Sequence, residues 1–234
     1  MKYIGNELHL FEKANNWKSY FNAHLCPFIK GDVLEVGAGI GATTQVLLNS
    51  KVHRWTCLEP DNTLAMQIQQ KLRSNQLSGD CELAVGSLAD IPSERKFDTI
   101  LYIDVLEHIE DDVDEFRHAA SHLKQSGHIV VLSPAHQWLY TPFDQSIGHV
   151  RRYSKETLGR LTAGNVALVS LYYIDSMGLL ASSLNRFFLK SSMPNNYQIK
   201  IWNNLLVPMS RVTDAILGYR VGKTIIGIWK KYPL

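Results

Sequence analysis

Cysteine is scarce in this sequence: Cys26, Cys57 and Cys81 are the three in 234 residues, and none belongs to a C-x-x-C pair. That number and spacing argue against a disulfide framework and a structural zinc site, so all three are read as reduced, small apolar residues. Long hydrophobic runs are missing too. No apolar stretch approaches the roughly 18 residues that a membrane span requires, and the opening "MKYIGNELHLFEKANNW" brings charged residues into every turn, unlike a secretory leader. The expectation is a cytoplasmic protein. Repeats and low-complexity tracts are absent, and so is a strong overall charge, the formal net charge being +2. The small total conceals an uneven distribution. Residues 1–150 hold 12 Lys+Arg against 19 Asp+Glu, whereas residues 151–234 hold 12 against 3, so the last third is basic.

What is present is 45% hydrophobic and 20% charged residues, enough to bury the core of one compact domain. From Gly31 onward, short apolar runs alternate with helix-like segments, the rhythm of βα units around a parallel sheet. Strands are expected at 33–36, 55–58, 82–85, 99–103 and 129–132. Between them "TTQVLLN", "NTLAMQIQQKLRSN" and "DDVDEFRHAASHLK" space apolar residues three and four apart, as helices packed on a sheet require. Gly127 is the expected helix stop before the fifth strand. The segment "SPAHQWLYTPFDQSIGHVRRYS" has prolines, aromatics and glycine but no period, and reads as a long functional loop over the sheet edge. Ser154 opens a capped helix in "SKETLGRLTAG", with Thr157 in place of the Glu of a full capping box. "VALVSLYYI" and "TIIGIWKK" are read as two further strands, with helices "MGLLASSLNRFFLK" and "IKIWNNLLVPMSRVTDAILG" between them. The organisation expected is one domain over residues 1–234: an N-terminal helical lid at 1–30, a core sheet from 31–175 and 219–234, and a helical cap at 176–218.

The densest signal is "VLEVGAGIGATT" at residues 33–44. Gly37-x-Gly39-x-x-Ala42 satisfies the dinucleotide fingerprint, and Glu59 lies about 20 residues on, where a ribose-binding acid belongs. Glu35 separates the ligands. At the end of the first strand it would repel a pyrophosphate, whereas a ligand carrying an ammonium and a sulfonium would be attracted to it.

Taken in order, "VLEVGAGIGATT", "CLEPD", "VGSLADI", "FDTILYIDVLEHIEDD" and "GHIVVLSP" resemble the successive motifs of class I S-adenosylmethionine-dependent methyltransferases over residues 31–134. The resemblance implies an α/β, doubly wound three-layer sandwich whose seven-stranded sheet is mostly parallel, with an antiparallel last strand. It places the backbone of Gly37, Gly39 and Gly41 against the methionine part of S-adenosylmethionine and Glu35 at its amino end. Glu59, beside Pro60, would take the two ribose hydroxyls, because a carboxylate offers two acceptor oxygens to a vicinal diol. Ser87 and Leu88 would lie near adenine, Ser87 standing where the commoner pattern has Asp. Ile103, Asp104 and His108 would close the site, and S-adenosylhomocysteine would be the product.

Methyl transfer to a hydroxyl also needs a base, and "FDQSIGHVRRYS" gathers Asp144, His149 and Tyr153 beside Arg151 and Arg152. His149 is the natural proton acceptor at neutral pH, and the arginines are candidates to clamp a phosphate or carboxylate of the acceptor. The "GHVRRYS" element resembles a sub-group of these methyltransferases associated with saccharide or lipid-glycan assembly. Trp17 and Tyr20 are candidate acceptor contacts from the N-terminal helix. The expected reaction is O-methylation of a small-molecule, saccharide or lipid-linked acceptor. N- or C-methylation, an NAD-linked oxidoreductase and a non-catalytic cofactor-binding module are the competing readings. No metal is expected, since Asp104 and Asp144 lack the carboxylate-rich context that a magnesium site usually shows, and no nucleic-acid methylation motif follows the fourth or fifth strand. The apolar, basic segment 177–218, with Arg186, Lys190, Lys200 and Arg211, is expected chiefly to pack on the sheet edge, peripheral membrane contact being the alternative.

Overall fold

The computed structural model describes residues 7–77, 79–186 and 195–233. Seven strands form one sheet: β1 (Gly31–Val36), β2 (Val52–Glu59), β3 (Cys81–Val85), β4 (Phe97–Ile103), β5 (Leu123–Pro134), β6 (Val166–Ile174) and β7 (Thr224–Lys231), in the order β3-β2-β1-β4-β5-β7-β6. The first five pair in parallel, and β7 runs antiparallel between β5 and β6. A dinucleotide fold would continue with a parallel sixth strand instead. The central strands are apolar on both faces because helices cover both, as parallel sheets require. Leu34, Ile100, Tyr102, Ile129, Val131 and Trp229 face one core, and Val33, Leu101, Val130, Leu132, Ile226 and Ile228 the other.

The helices are α1 (Glu7–Phe11), α2 (Asn15–Leu25), α3 (Thr44–Leu47), α4 (Asn62–Arg73), α5 (Asp112–Ser121), α6 (Pro142–Ser146), α7 (Lys155–Gly159), α8 (Ser176–Leu184), α9 (Asn196–Ile201) and α10 (Val207–Ile216). A π-turn, Trp202–Leu206, joins α9 to α10. Asp61 caps α4 by accepting hydrogen bonds from Thr63 N and Leu64 N at 2.7 and 3.0 Å, the arrangement that satisfies the free amides of a first turn. Ser154 and Thr157 do form a reciprocal capping pair at α7.

Two expectations need correction. Gly127 does not stop a helix: α5 ends at Ser121, and Leu123 already pairs with Phe97 in β5. Gly127 sits inside that strand, where a Cβ would lie 2.9 Å from the carbonyl oxygens of Asp98 and Lys124, so close backbone approach explains it. The aperiodic segment after β5 also holds more structure than a loop. It contains α6, opened by Pro142 and capped by Thr141, whose backbone N and hydroxyl donate to Asp144 Oδ2 at 2.8 and 2.9 Å.

Candidate functional site

The carboxyl ends of β1, β2, β4 and β5 open into a cavity of about 790 Å³. It lies at β1 and β4, where successive crossovers leave the sheet in opposite directions, the usual ligand position in an open α/β sheet. Trp17 of α2, Phe11 of α1, Trp202 of the π-turn and Phe143 of α6 help to roof it. Trp202 packs against both Phe11 and Trp17, with ring centroids at 5.8 and 5.4 Å.

Gly37 and Gly39 line the cavity with φ of +66° and +58°. Only glycine takes such angles freely, and a Cβ at Gly37 would also lie 2.7 Å from Val105 Cγ2. Glu35 is buried, its Oε2 accepting from Thr44 Oγ1 at 2.5 Å and Trp55 Nε1 at 3.0 Å. Burial pushes its carboxyl up to about 7 despite those donors. Glu59 is buried as well. Its Oε2 accepts from Gly39 N at 2.8 Å and its Oε1 from Asp61 N at 2.9 Å, so it ties the glycine loop to the end of β2. Burial outweighs these two amides and raises its pKa.

Pro60, Ser87, Leu88, Ile103, Asp104 and His108 all border the cavity, whereas Gly41 does not. Gly41 makes the turn behind it, donating its N–H to Ala38 O at 2.9 Å. Ser87 is paired with a carboxylate three residues on: Asp90 accepts from Ser87 N and Oγ, both at 2.8 Å, and also lines the cavity. Those donors hold it below the ordinary carboxylate range. The S-x-x-D spacing of a capping box was the available signal. Asp104 sits just past β4 at φ +55°, an unfavourable angle for a side-chain-bearing residue that is characteristic of functional sites. It opens onto the cavity, but the surrounding protein raises it to about 6 against the opposing charges of His149 and Lys223.

The far end of the cavity is built from the segment between β5 and α7. Asp144 is buried and takes a bidentate pair of hydrogen bonds from Arg152, Nε to Oδ1 at 2.8 Å and Nη2 to Oδ2 at 2.9 Å. His149 Nδ1 lies 3.0 Å from Asp144 Oδ1, and its other nitrogen, Nε2, is 3.9 Å from Glu107 Oε1. A carboxylate on Nδ1 fixes the proton there and leaves Nε2 with the lone pair. The loop itself is pinned by backbone: His149 N donates to Asp144 O at 2.9 Å, and Tyr140 Oη donates to His149 O at 2.6 Å. Burial would raise the Asp144 carboxyl, but His149 and Arg152 outweigh it and hold it well below the usual range.

Asp144 therefore stabilises the fold while ionised, an effect complete above the unfolded carboxylate pKa of about 3.9 and lost as pH falls through the lower folded value. Asp144→Asn should destabilise the protein by about 3–5 kcal/mol at neutral pH, because it leaves the Arg152 guanidinium buried and unpaired. The measurement is the denaturant midpoint, with the deficit shrinking towards acid pH.

Four expected residues are turned elsewhere. Tyr153 is buried beneath the cavity, its hydroxyl donating to Asp112 Oδ2 at 2.6 Å and Leu106 O at 3.2 Å, and burial and Asp112 push its phenol pKa up. Such a phenol pins the loop and does not serve as an acid or base. Tyr20 likewise donates to Asp214 Oδ2 at 2.7 Å, away from the cavity. Arg151 pairs with Asp112 at 2.6 Å and donates to Glu110 O at 2.6 Å. With Arg152 engaged by Asp144, the two arginines do not form a joint clamp. Gly41 is the fourth, for the reason given above.

Sequence reading missed Glu107 and Lys223. Glu107 is fully buried, accepts from Ser133 Oγ at 2.9 Å through Oε2, and leaves Oε1 without a partner. Burial and the neighbouring Asp104 raise it well above the ordinary range. Lys223 lines the cavity with its Nζ 5.7 Å from the Trp202 ring centroid, and burial lowers its pKa. Ligating atoms of Glu107, His108 and His149 lie within 4.8 Å of one another. Burial and then His149 depress His108 to about 4.

Residues 34–129 match the family model of a methyltransferase domain. No curated protein sequence matches the chain. Among solved structures, coclaurine N-methyltransferase bound to N-methylheliamine and S-adenosylhomocysteine shares 15% identity over 99% of this chain and 82% of its own, with a TM-score of 0.63. An S-adenosylmethionine-dependent methyltransferase from Clostridium acetobutylicum ATCC 824 shares 14% identity over 96% and 97%, at a TM-score of 0.60. The [4+2]-cyclase SpnF shares 15% over 93% and 80%, at 0.61, so the fold also carries other chemistry.

Proposed function

We propose that this chain, whose residues 34–129 match a methyltransferase domain and whose fold is that of coclaurine N-methyltransferase, is a class I S-adenosylmethionine-dependent methyltransferase that methylates a hydroxyl of a small polar acceptor with His149 as base. The observation that carries this reading is the Asp144–His149 pair at the cavity wall, with Nε2 directed toward Glu107. When bound, the cofactor would supply a methyl group activated by a sulfonium, whose neutral thioether is the leaving group. The chain must align that oxygen, exclude water and take its proton.

The residues fit such a cofactor. The cavity lies within the roughly 300–1,000 Å³ range of ligand pockets. In our assignment Glu35 faces the ammonium, the Gly37–Gly39 backbone carries the methionine part, Glu59 with Pro60 takes the ribose, and Ser87, Leu88 and Asp90 border the adenine. Ile103, Asp104 and His108 separate cofactor from acceptor. This chain's part in the transfer would be to hold the acceptor hydroxyl in line with the methyl group and to take its proton on His149 Nε2. Asp144 then stabilises the imidazolium.

Among the described residues, two buried polar atoms lining the cavity lack hydrogen-bond partners: Glu107 Oε1 and Arg152 Nη1. A carboxyl oxygen and a guanidinium N–H left for a ligand suit one bearing several hydroxyls and support a saccharide or saccharide-like acceptor, free or lipid-linked. Trp17 in the roof would stack on it. The test is transfer of labelled methyl from S-adenosylmethionine into polar and lipid fractions of a cell extract. Label in a hydroxyl-bearing product would support the reading; label on an amine, or none in any fraction, would refute it.

Turnover is expected to survive exhaustive chelation. Loss of activity restored by a divalent cation would turn Glu107, His108 and His149 into a metal site and remove His149 from the base role.

Glu35 provides a separate check on cofactor orientation. Its carboxyl stands near 7 in the free protein, and a cation placed beside it would lower that value. Binding of S-adenosylhomocysteine near pH 7 should therefore release protons, seen as a binding heat that varies with the ionisation enthalpy of the buffer. Glu35→Gln should remove most of that release.

A further inference from the structure

The helix formed by α9, the π-turn and α10 buries polar groups and leaves apolar ones outside. Its inner face, which also holds Ile199 and Val207, buries three polar residues, Asn203, Ser210 and Asp214. Each is satisfied there: Asn203 Oδ1 accepts from Trp17 N at 3.1 Å, Ser210 Oγ donates to Asp175 Oδ1 at 2.9 Å, and Asp214 accepts from Tyr20, Asp175 N and Ser176 N at 2.7, 2.6 and 2.9 Å. Its outer face carries Tyr197, Ile201, Leu205, Met209, Val212 and Ile216, three or four residues apart, so that they share one side of the helix. They are exposed, Leu205, Val212 and Ile216 by 56, 61 and 78%. Leu180 and Leu184 of α8, which packs on α10, are exposed as well. The sequence expectation that this segment's apolar residues pack on the sheet edge is corrected: most of its apolar surface faces outward.

A contiguous apolar stripe of this kind marks an interaction surface. Its charge indicates the occupant. Residues 176–222 contain a single acid, Asp214, and that acid is buried. The exposed charges among the described residues of this region, Arg186, Lys200, Arg211 and Arg220, are all cationic. Apolar side chains flanked by cations, with no exposed anion, match a helix lying in the headgroup region of an anionic bilayer.

We propose that the outer face of α9–α10 docks this protein on an anionic lipid surface. Trp202, from the same helix, roofs the cavity, so docking brings the cavity roof close to the lipid headgroups. The inference does not depend on the identity of the acceptor or of the base.

The test is co-sedimentation of the full chain with vesicles of phosphatidylcholine alone and of phosphatidylcholine with phosphatidylglycerol. The wild type should sediment with the anionic vesicles and be released by salt. Leu205→Glu/Ile216→Glu and, separately, Lys200→Glu/Arg220→Glu should each weaken that binding at least tenfold, with affinity for S-adenosylhomocysteine unchanged as evidence of an intact fold. The proposal is overturned if the wild type does not sediment with anionic vesicles, or if binding survives the Leu205→Glu/Ile216→Glu change. A stable dimer in analytical ultracentrifugation that this change dissociates, without vesicle binding by the wild type, would assign the stripe to a second copy of the chain instead.

Discussion

His149→Ala is expected to reduce methyl transfer by about 10²–10⁴-fold, the range lost with a general base, while affinity for S-adenosylhomocysteine stays within about threefold, since neutral contacts of this kind contribute little to binding. The imidazole is held at Nδ1, which is tied to Asp144, and across its face, where the ring of His108 packs edge-on at 4.6 Å between centroids. Among the described residues, Nε2 is left without a hydrogen-bond partner at 3.9 Å from Glu107 Oε1. Such an arrangement fixes one tautomer and one orientation, which is what a positioned base requires. Alanine removes the proton acceptor but leaves the backbone bonds of the loop, so cofactor binding and catalysis should separate. Near-normal turnover in the variant would eliminate His149 as base and turn attention to Lys223, whose lowered pKa makes it the next candidate in the cavity.

The second large effect is expected at Glu59. Hydrogen bonds to a charged group contribute roughly 1.5–3 kcal/mol each, so Glu59→Ala should weaken S-adenosylhomocysteine binding at least tenfold by removing the acceptor proposed for the ribose hydroxyls. The same change strips Gly39 N and Asp61 N of their acceptor, so the glycine loop should loosen and the melting temperature fall. Glu59→Gln distinguishes the two roles. Its remaining carbonyl can serve one amide but not both, and its NH₂ cannot accept. Calorimetric titration of both variants should rank affinity as wild type, then Gln, then Ala. Unchanged affinity in both would place the ribose elsewhere and undo the assignment of the glycine loop to this cofactor.

The βα core was legible because its signals are local. Short apolar runs alternating with helix-like spacing mark the strands, and β6 and β7 were read at their observed limits, "VALVSLYYI" and "TIIGIWKK". The glycine loop declared itself because positive φ has few residue solutions. Helix limits were less legible. The apolar Leu123 continues the helical spacing of α5 as well as it begins β5, and only pairing with Phe97 decides between them.

The site shows the same division. Composition could gather Asp144, His149, Tyr153, Arg151 and Arg152 into one stretch, but it could not say which of them face the cavity. Arg152 and Arg151 are neighbours in sequence, yet one is claimed by Asp144 and the other by Asp112. Glu107 was read as part of a motif without a role because its significance lies in an oxygen left unpaired near His149, 42 positions away in number.

The sequence by itself determined the parallel core, the glycine loop at its carboxyl end and the carboxylates beside that loop, because strand periodicity, glycine conformation and charge act over a few residues. Only the tertiary structure decided which tyrosines and arginines are consumed by buried partners, and that the α9–α10 helix buries Asn203, Ser210 and Asp214 while its apolar stripe faces outward. Those outcomes depend on hydrogen-bond partners such as Asp112, Asp175 and Tyr20, which lie far along the chain. A buried polar group must find such a partner or lose its desolvation energy, and no local pattern states in advance where the partner will be.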